Sequence, residues 1–253
     1  MSIINSFDNK SNAIIDLDKI VGEPPHIADV CIVTFSIHVK EMVLKKYDCK
    51  KVANTNTANG SIDVYQFEAG GKTMLFYMSP IGSAVAACAM HEIHYVTGAN
   101  KFIVYGSCGI LDTEKCKGKL MVPTHAYRDE GLSYHYMEVS DYVEIKNSAK
   151  LAEIFDKHNY PYVTGRTWTT DAIYMETVDK AAARRKEGCI TVEMEAAGLQ
   201  AMCNYYGYEL YTFFFGADLL ENDSWDKGSL GEEKEFDIQR ETFNVALDIA
   251  LSV

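Results

Sequence analysis

No cysteine in this chain belongs to a CxxC pair, although seven are present, at positions 31, 49, 88, 108, 116, 189 and 203. An odd number at irregular spacing does not read as a disulfide framework, and the expectation is reduced thiols in a cytoplasmic protein. Positive charge is scarce: 24 Lys and Arg stand against 36 Asp and Glu, a net charge of −12. That balance argues against a nucleic-acid or anionic-membrane partner. It leaves an anionic small molecule open, because a few local donors are enough to hold a phosphate. Long apolar runs are missing too. No stretch reaches the ~18 residues of a membrane helix, and no basic start followed by an apolar segment opens the chain. With no repeat, no low-complexity tract and only five prolines, nothing marks a linker. Residues 1–253 read as a single domain.

What is present is an alternation of strand and helix signals from end to end. Apolar, β-branched runs at 30–35, 101–105, 120–122 and 210–215 predict buried strands, and the alternation at 62–67 predicts a half-buried one. Gly70-Gly71 between 62–67 and 73–78 predicts a hairpin. Helical spacing recurs at 40–47, 83–95, 148–158 and 178–187, in a helix ending near Gly207, and in a long C-terminal helix over 232–251. The fold class that fits is α/β, with a central mixed β-sheet, partly closed into a barrel and wrapped by helices.

Four segments carry candidate chemistry. In Thr191-Val192-Glu193-Met194-Glu195-Ala196-Ala197-Gly198-Leu199 a buried strand turns into a helix, and two carboxylates flank the junction. Strand ends are where open α/β sheets place ligand groups. A carboxylate there can accept hydrogen bonds from two vicinal sugar hydroxyls; the competing reading is a pair of solvated first-turn glutamates. Gly106-Ser107-Cys108-Gly109, where strand 101–105 ends, reads as a turn that offers N–H groups and a hydroxyl to a sugar or an anion. It lacks the lysine and the length of a P-loop. Asp218, after the aromatic strand, is either a general acid with a raised pKa or a helix N-cap. His91 and His94 are three apart rather than four, which favours a surface or interface helix over a metal site. Cys108 has no neighbouring base in the sequence and is set aside as a nucleophile.

Taken together, these segments resemble the nucleoside phosphorylase superfamily, which includes purine nucleoside phosphorylases, uridine phosphorylases and methylthioadenosine nucleosidases. The resemblance covers roughly residues 28–226, and the Val192–Ala197 string is its most specific part. It implies that Glu195 holds the ribose 2′ and 3′ hydroxyls with Met194 alongside and Glu193 in support. It implies that Ser107 touches phosphate and sugar, that Gly106 lines the base pocket, and that Asp218 protonates N7 of a leaving purine. Ile173 stands where members reading uracil have phenylalanine, and Thr177 and Asp179 replace their glutamine and arginine. These departures point away from uracil.

The phosphate side departs further. Where the family has Gly-Asp-Pro followed by an arginine, this chain has Phe35-Ser36-Ile37-His38-Val39, and Val104 replaces a second arginine. His38 and Lys40, or Arg128 and Arg166, are the candidates to hold phosphate, from this subunit or a neighbour. The expected reaction is phosphorolysis of a purine nucleoside to free base and ribose 1-phosphate. It needs no metal or organic cofactor, with inorganic phosphate as co-substrate, and the protein is expected to be a homo-oligomer, dimer or hexamer. Hydrolysis by the same fold, or nucleoside binding without turnover, are the alternatives.

Overall fold

The computed structural model describes residues 2–58, 60–222 and 224–253. In chain order the elements are α1 (Leu17–Ile20), β1 (Val30–Thr34), α2 (Ile37–Lys46), β2 (Lys50–Thr57), β3 (Gly60–Ala69), β4 (Lys72–Met78) and α3 (Ser83–Thr97). They continue with β5 (Lys101–Ile110), α4 (Thr113–Cys116), β6 (Leu120–Asp129), α5 (Ser133–Tyr136), β7 (Tyr142–Glu144), α6 (Ser148–His158) and β8 (Tyr162–Thr170). The last part holds α7 (Val178–Lys186), β9 (Cys189–Glu193), α8 (Ala196–Tyr206), β10 (Glu209–Asn222), β11 (Ser224–Asp226) and α9 (Glu233–Ser252).

One mixed sheet organises the molecule. Its open half runs β5-β1-β4-β3-β2, with β3 and β4 joined at Gly70-Gly71 as the expected hairpin. Its other half closes on itself: β5 pairs β9 and β10, β9 pairs β8, β8 pairs β6, and β6 meets β10 at Met121 and Phe214. Those five strands form the partly closed barrel.

Each inner strand is buried on both faces, which explains its continuous apolar sequence. Val30 and Ile32 of β1 face a core shared with Val39, Phe155, Phe243 and Ile249 from α2, α6 and α9. Cys31 and Val33 point the other way, onto Met90, Ile93, Leu199 and Met202 of α3 and α8. Two helical layers therefore sandwich the sheet. Gly207, left-handed at φ 79°, ends α8 where the sequence places the stop.

Two expected strand ends are not ends. Residues 106–109 are not a turn: β5 runs on through them to Ile110, paired residue for residue with β10. β10 likewise passes Gly216-Ala217-Asp218 and reaches Asn222 after a register break at Ala217. The glycines in these strands serve close approach rather than turning. A Cβ on Gly109 would stand 2.4 Å from Leu220 Cδ1 and 2.9 Å from Val192 Cγ1.

This continuation positions the site. β1 pairs with β5 only as far as Val104, and β9 joins the same edge only at Gly109. Between them, Tyr105–Cys108 is paired through β10 alone among the described residues. The sheet divides there, and the opening is where a ligand can meet strand backbone.

Candidate functional site

A cavity of about 280 Å³ fills that opening. Its lining combines the β5 edge at 106–109, the β9–α8 junction at 192–196, Asp218 and Leu220 of β10, and Phe35 and Ile173 from loops. Ser107, Gly106, Met194, Glu193, Glu195, Asp218 and Ile173, widely separated in the chain, thus converge on one space.

The two glutamates of the junction have different tasks. Glu193 is buried, and its carboxylate is saturated: Oε1 accepts from Thr169 Oγ1 at 2.5 Å and Thr167 Oγ1 at 3.4 Å. Its Oε2 accepts the backbone N–H groups of Glu195 at 2.8 Å and Ala196 at 2.7 Å. Burial pushes its pKa up, and these four donors pull the other way. Glu193 therefore caps the start of α8 and fixes the backbone that carries Glu195.

Glu195 accepts the Gly82 N–H at 2.6 Å through Oε1. Gly82 stands at φ 106°, a backbone only glycine adopts without strain, so the α3 start can turn its N–H onto this carboxylate. Ser83 Oγ donates to the Met194 carbonyl at 2.9 Å, and a side chain on Gly198 would strike Ser83 at 2.7 Å. Close packing of α3 on α8 thus holds the Met194-Glu195 pair in place. Burial, reinforced by the charge of Glu193, pushes the Glu195 carboxyl up to about 8.

Asp218 comes just after the register break, opposite Gly109. A bulge of this kind twists a strand and re-aims the next side chain. Oδ2 accepts the Trp225 indole N–H at 2.7 Å from β11. Burial raises the Asp218 pKa and the Trp225 bond opposes it. Such a carboxyl, half-buried in an apolar wall, is poised to carry a proton. Neither the hydrogen bond nor the hairpin beyond 218 is legible in the sequence, since Trp225 belongs to no motif.

The cation candidates lie elsewhere. His38 stacks on Phe236 of α9, with ring centroids 3.9 Å apart. Lys40 lines a separate cavity of about 340 Å³, together with Asp63, Cys88 and Glu92. Arg128 is buried, donating to Ser133 Oγ at 2.8 Å and the Glu138 carbonyl at 2.8 Å. Arg166 donates to the Glu187 carbonyl at 2.9 Å and lies over Tyr142. At the corresponding end of the main cavity stand Val104 and Phe35, whose ring comes within 3.2 Å of where a Gly106 Cβ would be. Among the described residues, no Lys, Arg or His lines this cavity.

Other candidates have structural tasks. His91 meets the Tyr208 hydroxyl at 2.9 Å, and His94 the Ala99 carbonyl at 2.8 Å. In the polar segment after β6, Tyr134-His135-Tyr136 offers hydroxyls that a substrate could meet, but Tyr134 donates to the Arg128 carbonyl at 3.0 Å and Tyr136 packs on Tyr205 and Tyr206. Cys108 is buried, which pushes its thiol far above the usual range and leaves it unreactive. Glu176, on the cavity wall, is absent from the sequence-based candidates, and Phe35 enters there only as a departure from the family's phosphate loop. Glu176 belongs to no recognisable spacing.

The family model described as the phosphorylase superfamily matches residues 29–249. A DeoD-type purine nucleoside phosphorylase from Colwellia psychrerythraea is 23% identical over 207 residues, covering 81% of this chain and 83% of the relative. A guanosine phosphorylase from Halorubrum lacusprofundi is 27% identical over 191 residues, covering 74% and 70%. A second DeoD-type enzyme, from Haemophilus ducreyi, is 22% identical over 175 residues, covering 67% and 70%.

Proposed function

The chain belongs to the phosphorylase superfamily, and from that premise we propose that it splits the N-glycosidic bond of purine nucleosides by phosphorolysis. Glu195 accepts hydrogen bonds from the ribose 2′ and 3′ hydroxyls and so holds C1′ in place beside Asp218. Asp218 gives its proton to N7 as the C1′–N9 bond breaks and its electron pair passes to the base. A phosphate oxygen then bonds to C1′, giving ribose 1-phosphate and the free purine. Met194 packs on the sugar, Ile173 on the base, and Ser107 with the β5 edge supplies donors. No metal or organic cofactor takes part in this scheme.

The observation that carries the reading is the sharing of one cavity by Glu195 and Asp218, each with its proton affinity raised by burial. A homo-oligomer belongs to the reading, because a neighbouring copy is the remaining source of cations for this cavity. The free thiols suit the cytoplasm.

A hydrolytic reaction is the second reading, favoured by Phe35 and Val104 at the end of the cavity where phosphate would bind. A panel of adenosine, inosine, guanosine and uridine, assayed for free base, tests the function. Purine release with little uracil is expected; uracil release at a similar rate would overturn the purine assignment.

A further inference from the structure

Glu176 has no task in the phosphorolysis scheme. It closes the short turn Ile173–Met175 and reaches the cavity that holds Asp218. It also borders a smaller pocket of about 110 Å³ with Leu220, Trp225 and Arg185. The other three carboxylates on the cavity wall all have partners in the fold: Glu193 has four, Glu195 has Gly82, and Asp218 has Trp225. Among the described residues, no group donates a hydrogen bond to Glu176. A half-buried acceptor without a donor, at the edge of a ligand cavity, is a group left for the ligand.

Chemistry narrows which part of the ligand it meets. On a purine, N7 and the substituent at C6 share one edge of the ring. If Asp218 addresses N7, a second carboxylate on the same cavity wall, close enough to feel the charge of Asp218, is within reach of the C6 substituent on that edge. An amino group there donates to a carboxylate, whereas an oxo group presents lone pairs and is repelled.

We propose that Glu176 is a specificity residue that selects 6-aminopurine nucleosides over 6-oxopurine ones by accepting a hydrogen bond from the 6-amino group. The inference rests on the assignment of Asp218 to N7 in the proposed function. The groups facing Glu176 are Asp218 on β10 and Lys180 and Arg185 on α7. Lys180 pairs with Asp129 at 3.3 Å, and Arg185 donates to the Leu220 carbonyl at 2.8 Å, so neither is dedicated to Glu176. Burial, then the charge of Asp218, raises its carboxyl to about 7, with Lys180 opposing. Below that pH a protonated Glu176 donates to an oxo group, so discrimination sharpens as the pH rises through the neutral range.

The test compares kcat/KM for adenosine and inosine in the wild type, Glu176→Gln and Glu176→Ala across the neutral pH range. Calorimetry of free adenine and hypoxanthine gives a readout independent of turnover. The adenosine-to-inosine ratio should rise with pH in the wild type and lose about tenfold in both variants at the alkaline end. The adenine-to-hypoxanthine affinity ratio should move in parallel. Both ratios unchanged by substitution, in an enzyme that cleaves purine nucleosides, would overturn this proposal and leave the proposed function standing. Failure of the wild type to cleave either nucleoside and to bind either base would overturn both.

Discussion

Glu193 accepts the backbone N–H of Glu195 at 2.8 Å, so one carboxylate of the junction holds the backbone that carries the other. Glu193 is used up by the fold, whereas Glu195 faces the cavity. The two residues therefore separate stability from activity, and substitutions at them are expected to have different consequences.

Glu193→Ala removes the acceptor of two helix-start N–H groups and two threonine hydroxyls. Unsatisfied buried donors cost about 1–3 kcal/mol each, so a loss of about 3 kcal/mol or more is expected. Urea unfolding measures it, with the midpoint falling and the slope unchanged. An unchanged midpoint would remove Glu193 from its capping task.

Glu195→Gln should keep the fold and lower kcat/KM for purine nucleosides about 10²-fold, because an amide NH2 replaces one of the two oxygens that meet the ribose hydroxyls. The acidity of Glu195 gives a signed expectation for stability. The folded protein holds this proton up to about pH 8, whereas an unfolded chain releases it in the ordinary carboxylate range. Its stabilising contribution is therefore full in acid and lost as the pH rises toward 8. The difference in Tm between Glu195→Gln and the wild type should grow over that window. A constant difference would contradict the raised pKa.

Asp218→Asn should slow purine nucleosides by about 10²–10⁴, and nucleosides with an activated leaving group far less. Trp225→Phe supplies a subtler check. The indole N–H lowers the Asp218 pKa, so its removal should extend activity to higher pH. Equal slowing of both substrate classes by Asp218→Asn would make Asp218 a structural residue.

Gly109→Ala places a methyl group against Leu220 and Val192 inside the barrel. Overpacking of this kind costs about 1–3 kcal/mol, visible as a lower Tm. A neutral effect would mean that the strands can separate at this point.

Local signals in the sequence are sound where one element explains itself. The 62–67 and 73–78 hairpin, the 148–158 helix and the glycine stop of α8 come from periodicity and turn chemistry, and the structure has all three. Strand ends mislead where glycine does a long-range job. Gly109 and Gly216 look like turn residues, yet they make room for Leu220, Val192 and Ile110 of paired strands. Glu193 and Glu195 are legible because a motif marks them, and Asp218 because it follows an aromatic apolar run, although the strand itself continues past it. Glu176 and Trp225 are not, since their importance comes from contacts across the fold. The placement of His38, Lys40, Arg128 and Arg166 away from the cavity is equally hidden, because sequence proximity says nothing of where a long side chain finds its partner.

The most direct measurement quantifies the products formed from adenosine and inosine while inorganic phosphate is varied from absent to saturating. The account predicts free purine and ribose 1-phosphate in equal amounts, at a rate that rises with phosphate and collapses in Glu195→Gln and Asp218→Asn. Free ribose at a phosphate-independent rate would replace phosphorolysis by hydrolysis. Absence of free purine under every condition would contradict the account.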